Sequence, residues 1–253
     1  MERYIQKLRD KNLSENTIAT YERFLKTIPK RLNAKAAANF VVGLRKNVKS
    51  NATLRLYLII FKSYLKFLGK KDIAYSIMMP KKENKKMNIP TIEIENMINK
   101  STADPFHHAI ILTLADTGLR LSEFCDLRLS DYYKNNTQIS IIGKGNRIRI
   151  IFFSDRVQQA INEYIKIRNH PSDYLFVSKY GRCYQKMIDR VLKKYSPKLH
   201  PHILRHYFAV RLLKNGANIM AVRDLLGHSD ISTTQIYLNL SNIYLKETYY
   251  KYI

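Results

Sequence analysis

Apolar residues return every three or four positions in two stretches of the first ninety residues, and that period belongs to the α-helix. Ile18, Tyr21, Leu25 and Ile28 fall on one face, behind Ser14 and Thr17, hydroxyl residues suited to cap a first turn. A second stripe, Leu54, Leu58, Phe61, Leu65 and Leu68, follows Ser50, while Arg55, Lys62 and Lys66 lie off it. Such a helix sets one face in a core and turns the other to water or to phosphates. The periodicity stops between Pro80 and Pro90, where two prolines bracket a polar, basic run that reads as an interdomain linker. Helical spacing returns from Ile92 to Ile98 and from His108 to Ala115. Between Thr137 and Phe153 two β-rich runs flank Gly143, Lys144, Gly145 and Asn146, the mark of a hairpin. From Ile203 the pattern is helical again, interrupted at Gly216 and at Gly227. The expected fold class is mainly α (α+β). A helical domain spans 1–80, a linker 81–90, and a mostly helical domain with a small antiparallel sheet 91–253. There is no internal repeat, and the tail from Tyr244 to Ile253 is biased toward tyrosine.

Composition changes the picture through charge. The 253 residues, 45% of them apolar, can build a core in each of two domains. Lys and Arg number 44 against 20 Asp and Glu, a formal charge of +24, far more than solubility requires and attractive to polyanions. Residues 1–90 hold 21 basic and 6 acidic side chains, net +15, against 23 and 14, net +9, in the remainder. Nucleic acid is the first candidate partner. A membrane surface is the competing polyanion, but no apolar run approaches the ~20 residues that span a bilayer, and no signal-peptide pattern opens the chain. The expectation is a cytoplasmic protein without a membrane partner. Cys125 and Cys183 lie far apart, with no Cys/His cluster at metal-ligand spacing, so neither a disulfide framework nor a zinc site is expected.

Several short segments place reactive side chains at helical or turn positions. Arg120 follows Gly118, and Glu123 lies three residues on, one helical turn away; read locally, this is a surface ion pair. Gly143, Lys144 and Gly145 lack the pattern of a nucleotide-binding loop and sit in a hairpin, where a lysine is by default a turn residue. His202 and Arg205 are three apart and share a helical face, from which His206 is displaced by about 100°. His228 follows a helix-ending glycine, and Tyr237, nine residues later, is by itself an ordinary core aromatic.

Taken together and in order, TGLRLSE (117–123), GKGN (143–146), HILRH (202–206), LLGHS (225–229) and TTQIY (233–237) resemble the catalytic domain of the tyrosine recombinase family, most nearly its Xer and phage-integrase branch. The resemblance runs from about 91 to 240, and NLSENTIATYERFL (12–25) is similar to the start of that family's core-binding domain. The resemblance implies a site-specific DNA recombinase with Arg120, Lys144, His202, Arg205, His228 and Tyr237 as catalytic residues. Glu123 would buttress the site, and His206 would be structural. It also implies double-stranded DNA as partner, two domains clamping the duplex, and a homotetramer on two synapsed sites. Little sequence follows Tyr237, which bears on how subunits exchange C-terminal contacts. A type IB topoisomerase shares the residue types, and a non-catalytic DNA-binding relative is the reading from another class; the intact set of six speaks against the latter.

The chemistry suits these types. In-line attack on a phosphodiester puts added negative charge on the non-bridging oxygens, and two guanidiniums supply bidentate donors that stay charged at any working pH. With no paired-carboxylate cluster of the two-metal kind, no metal or other cofactor is expected. A tyrosine hydroxyl with a pKa near ~10 needs its proton accepted, for which His202 is the candidate, with His228 on the phosphate. The departing 5′ oxygen needs a proton, which a lysine on a hairpin can deliver.

Overall fold

The structure is a computed structural model describing residues 1–82, 89–143 and 148–227. The chain divides into two units, Met1–Lys85 and Lys86–Ile253.

The first unit is made of α1 (Glu2–Asp10), α2 (Glu15–Leu25), α3 (Ala34–Asn47), α4 (Asn51–Phe67) and α5 (Lys71–Ser76). Ser14, Asn33 and Ser50 each accept a backbone N–H from the first turn of the helix they precede, satisfying a donor that the helix leaves without a partner. The predicted stripes of α2 and α4 enter the core through Ile18, Leu25, Leu58, Phe61 and Leu65, joined there by Tyr4, Ile5 and Leu8 of α1. Leu68 departs from expectation: it is the C-cap of α4, past the last helical turn, and it is exposed. The basic residues of α4 also depart from a purely outward role. Lys62 Nζ donates to the Ile77 carbonyl at 2.8 Å and Arg55 donates to that of Pro80, so both staple the segment after α5, while Lys66 stands over the Tyr75 ring.

The second unit contains α6 (Thr91–Ser101), α7 (Pro105–Thr117), α8 (Leu121–Cys125), α9 (Leu129–Lys134), the strands β1 (Gln138–Ile142) and β2 (Ile148–Phe152), α10 (Asp155–Ile167), the short strands β3 (Val177–Ser178) and β4 (Gly181–Arg182), α11 (Gln185–Tyr195), α12 (Pro201–Lys214) and α13 (Ile219–Leu226). Helix α7 is the pivot. Every residue from Ala109 to Thr117 is buried, and α6, α10 and α12 pack around it. Each fully buried Leu or Ile is worth about 1.5–3 kcal/mol relative to exposure. Asp104 caps the helix at one end, and Gly118 ends it at φ +62°. A Cβ at Gly118 would run into the Phe208 ring, so both conformation and space require glycine there.

The strands β1 and β2 form the expected antiparallel hairpin, with Ile141 opposite Arg149 and Gln138 opposite Phe152. Ile139, Ile141 and Ile151 face the core. The buried carboxylate of Asp116 ties three elements together, accepting from Arg156 and Ser154 near the start of α10 and from Arg211 of α12. Cys125 and Cys183, distant in sequence, are both buried and free of any disulfide. A hydrogen bond from Cys183 holds the Cys125 thiol below its usual range, while the same contact and burial push Cys183 up. The expected linker falls largely on residues outside the described set.

Candidate active site

The left-handed turn at Gly118 releases the chain from α7 and brings Arg120 to the start of α8. Three residues into the new helix, Glu123 folds back: its Oε2 accepts the Arg120 backbone N–H at 2.7 Å and its Oε1 accepts Arg120 Nη1 at 2.9 Å. A carboxylate in this position caps an otherwise unsatisfied backbone donor and complements the positive end of the helix. The pair is no surface ion pair. The Glu123 side chain is 5% exposed, and its two oxygens also receive a bidentate grip from Arg149 of β2, at 2.9 and 2.8 Å. Burial works against the charged form of Glu123. The Arg149 hydrogen bonds, the Arg120 backbone N–H and the nearby guanidinium charge prevail and hold its carboxyl at about 2.

Arg205 comes from α12, which opens with His200 as cap and Pro201 in the first turn, where a missing N–H costs nothing. It is buried, donating to the carbonyl of Gly118 and, at 2.6 Å, to that of Leu226. His202 stands one turn earlier, its ring 4.4 Å from that of His206 in an edge-to-face arrangement. Crowding by neighbouring atoms lowers the His202 pKa, and the charges of Arg205, His200 and Arg120 lower it further. The imidazole is therefore neutral at pH 7 and able to accept a proton, and it keeps an exposed face.

These parts meet at the end of α13, which stops at Gly227 with φ +63°. Arg120 Nη2 donates to the Gly227 carbonyl at 3.1 Å, beside the Leu226 carbonyl that Arg205 holds. Helix C-termini leave such carbonyls without partners, and cations complement them. Arg120, Glu123, His202 and Arg205 are thus gathered into one electropositive site, with Arg120 still 30% exposed toward any anion that arrives. Lys144, His228 and Tyr237 lie outside the described residues. Arg149 was not among the sequence candidates. Its signal is an arginine in the inward register of a strand, masked because its neighbours Ile148 and Ile150 are as apolar as a core pair while pointing outward. Among the described residues no group of three or more His, Cys, Asp or Glu could hold a metal ion, and no helix is long and apolar enough to cross a membrane.

A helical unit that braces two arginines with a buried carboxylate, next to a hairpin, is the arrangement in which comparison with known proteins becomes specific. Residues 87–242 match the phage integrase family, and the chain belongs to that family as a tyrosine recombinase, an enzyme of site-specific recombination. It is 34% identical to tyrosine recombinase XerA of Pyrococcus horikoshii over 249 residues, covering 92% of this chain and 86% of the relative. It is 29% identical to tyrosine recombinase XerD of Halalkalibacterium halodurans over 275 residues, covering 95% and 92%. Among solved structures it resembles a XerA recombinase at 26% identity and TM-score 0.57, covering 99% of this chain and 96% of that one. It shares the fold of the Tn1549 transposon integrase, solved with transposon right-end DNA, at 21% identity and TM-score 0.74, covering 92% of each.

Proposed function

We propose that this recombinase cleaves and rejoins double-stranded DNA through a 3′-phosphotyrosyl intermediate, with Tyr237 as nucleophile. The Tyr237 oxygen attacks the scissile phosphorus as its proton passes to His202. Arg120 and Arg205, with His228, take up the charge that develops on the non-bridging oxygens. The 5′ oxygen leaves with a proton from Lys144. The new ester conserves the energy of the broken linkage, so a 5′ hydroxyl from another strand reverses the attack without ATP. Residues 91–253 carry this chemistry, 81–90 link it to the first unit, and 1–80 grip the DNA. That last assignment is supported by the net charge of +15 on residues 1–90. The working assembly is a homotetramer on two synapsed sites in the cytoplasm. Whether it resolves, integrates or excises follows from the arrangement of those sites.

The observation that carries the reading is the meeting of Arg120 and Arg205, 85 residues apart in sequence, at the end of α13, with Glu123 fixing one of them. A preorganised pair of guanidiniums, one of them buried, is what a phosphoryl transition state requires. The test is a suicide substrate: nicked duplexes carrying candidate sites, incubated with the protein and read on a denaturing gel for a covalent protein–DNA band. The band is expected with the natural protein and absent with Tyr237→Phe, whose DNA binding is retained. A covalent band from Tyr237→Phe shows that another residue attacks.

A further inference from the structure

The hairpin turns one arginine inward. Along β2, Ile148, Ile150 and Phe152 are exposed while Ile151 is buried, so the alternation places Arg149 on the core side, opposite Ile141. An arginine there is costly unless its donors are satisfied. Each of its three nitrogens has a partner: Nη1 and Nη2 grip the two oxygens of Glu123, and Nε donates to the Leu225 carbonyl at 3.0 Å. Its stem fills the space that Gly227 leaves, with Cδ 2.9 Å from where a Cβ on that glycine would lie. Three guanidiniums therefore hold three consecutive carbonyls at the end of α13: Arg149 on Leu225, Arg205 on Leu226 and Arg120 on Gly227.

We propose that Arg149 is a positioning residue for strand cleavage: it holds Glu123 square to Arg120, and so fixes the guanidinium that meets the scissile phosphate. The geometry leaves little slack in this chain of contacts. Glu123 presents Oε1 to both Arg120 and Arg149, so without Arg149 the carboxylate can turn toward Arg120 alone, or take up a proton as its remaining donors fail to offset burial. Either change moves Arg120 relative to the Gly227 carbonyl and the phosphate. A lysine could replace the charge but not the fork, which makes two bonds to a carboxylate and a third to a carbonyl at once.

The inference rests on the reading of Arg120 as a phosphate ligand, and the experiment separates the two. Single-turnover cleavage is measured at saturating protein on suicide substrates whose scissile linkage is either the natural diester or a methylphosphonate, in which a methyl group replaces one non-bridging oxygen and removes the charge a guanidinium would offset. Arg149→Met is expected to cleave the diester about 100-fold more slowly than the natural protein. On the methylphosphonate it should fall to within about 3-fold of it. Arg120→Ala should be relieved in the same way. Arg149→Lys, which keeps charge and volume, is expected to be about 10-fold slow on the diester and relieved likewise; it carries the test if Arg149→Met does not fold. If Arg120→Ala is relieved while both Arg149 variants stay as slow on the methylphosphonate as on the diester, Arg149 is structural support only and the inference falls. If Arg120→Ala is not relieved, the phosphate role of Arg120 fails, and the inference with it.

Discussion

The two units use charge in opposite ways. The first has the higher net charge for its length, yet among its described residues no polar or charged side chain is buried. Its core is aliphatic and aromatic, as in the stacked Phe24 and Tyr57 rings and the edge-to-face Phe40 and Phe61 pair. The second has a smaller surplus of charge but buries Asp116, Glu123 and Arg205, each with several partners. Exposed charge attracts a polyanion over distances of about a Debye length and is screened by salt. Buried charge is expensive to hold, but it needs no reorganisation when a new charge develops beside it. In the proposed function the first unit attracts the polyanion and the second stabilises the transition state.

The strongest way to break that contrast is at Arg205. Arg205→Ala removes a buried guanidinium and leaves the Gly118 and Leu226 carbonyls without their donor. Covalent-adduct formation should fall by about 10³-fold or more and unfolding stability by about 1–3 kcal/mol for each orphaned carbonyl, read by single-turnover kinetics and by denaturant titration. A variant that keeps its cleavage rate would place the transition-state charge elsewhere.

Glu123→Gln should have the next largest effect, slowing cleavage by about 10- to 100-fold, and it carries a pH signature. The carboxyl is held at about 2, against an ordinary value of 4.5, so its ionised form stabilises the fold. That contribution is fully present above pH 4.5 and is lost as pH falls through 2. Thermal unfolding from pH 7 to pH 2 should show the natural protein losing stability below pH 4.5 more steeply than Glu123→Gln, with the two curves converging near pH 2. Parallel curves would mean that Glu123 titrates alike in the folded and unfolded chain, so that its partners do not favour the ionised form.

The smallest effect sharpens the comparison on the other side. Arg55→Gln and Lys62→Gln remove hydrogen bonds to the carbonyls of Pro80 and Ile77, so each should lower stability by about 1 kcal/mol and leave the salt dependence of DNA binding unchanged. A fall of about 1 in the salt slope for each substitution would instead show that these residues reach phosphates.

Hydrophobic period, caps and turn residues were enough to read α2, α4, α6 and the β1–β2 hairpin, because each records its environment locally: one face buried, one exposed, and a Ser, Pro or Gly at the boundary. Helix α7 was read over His108 to Ala115, but its burial on all sides, which leaves no polar face, was not. Helices α1, α3, α5 and α9 to α11 and the short strands β3 and β4 were not singled out, the strands being only two residues each. The order of five short motifs was enough to name a family and to nominate Arg120, Glu123, His202 and Arg205. What only the tertiary structure decided is what those residues touch. Gly118 and Phe208, Arg149 and Glu123, and the three arginines on the last carbonyls of α13 are contacts between elements 21 to 107 residues apart in sequence. A buried ion pair leaves no periodic trace in either partner's segment. Its existence depends on two desolvated charges being brought together, which is a property of packing and not of pattern.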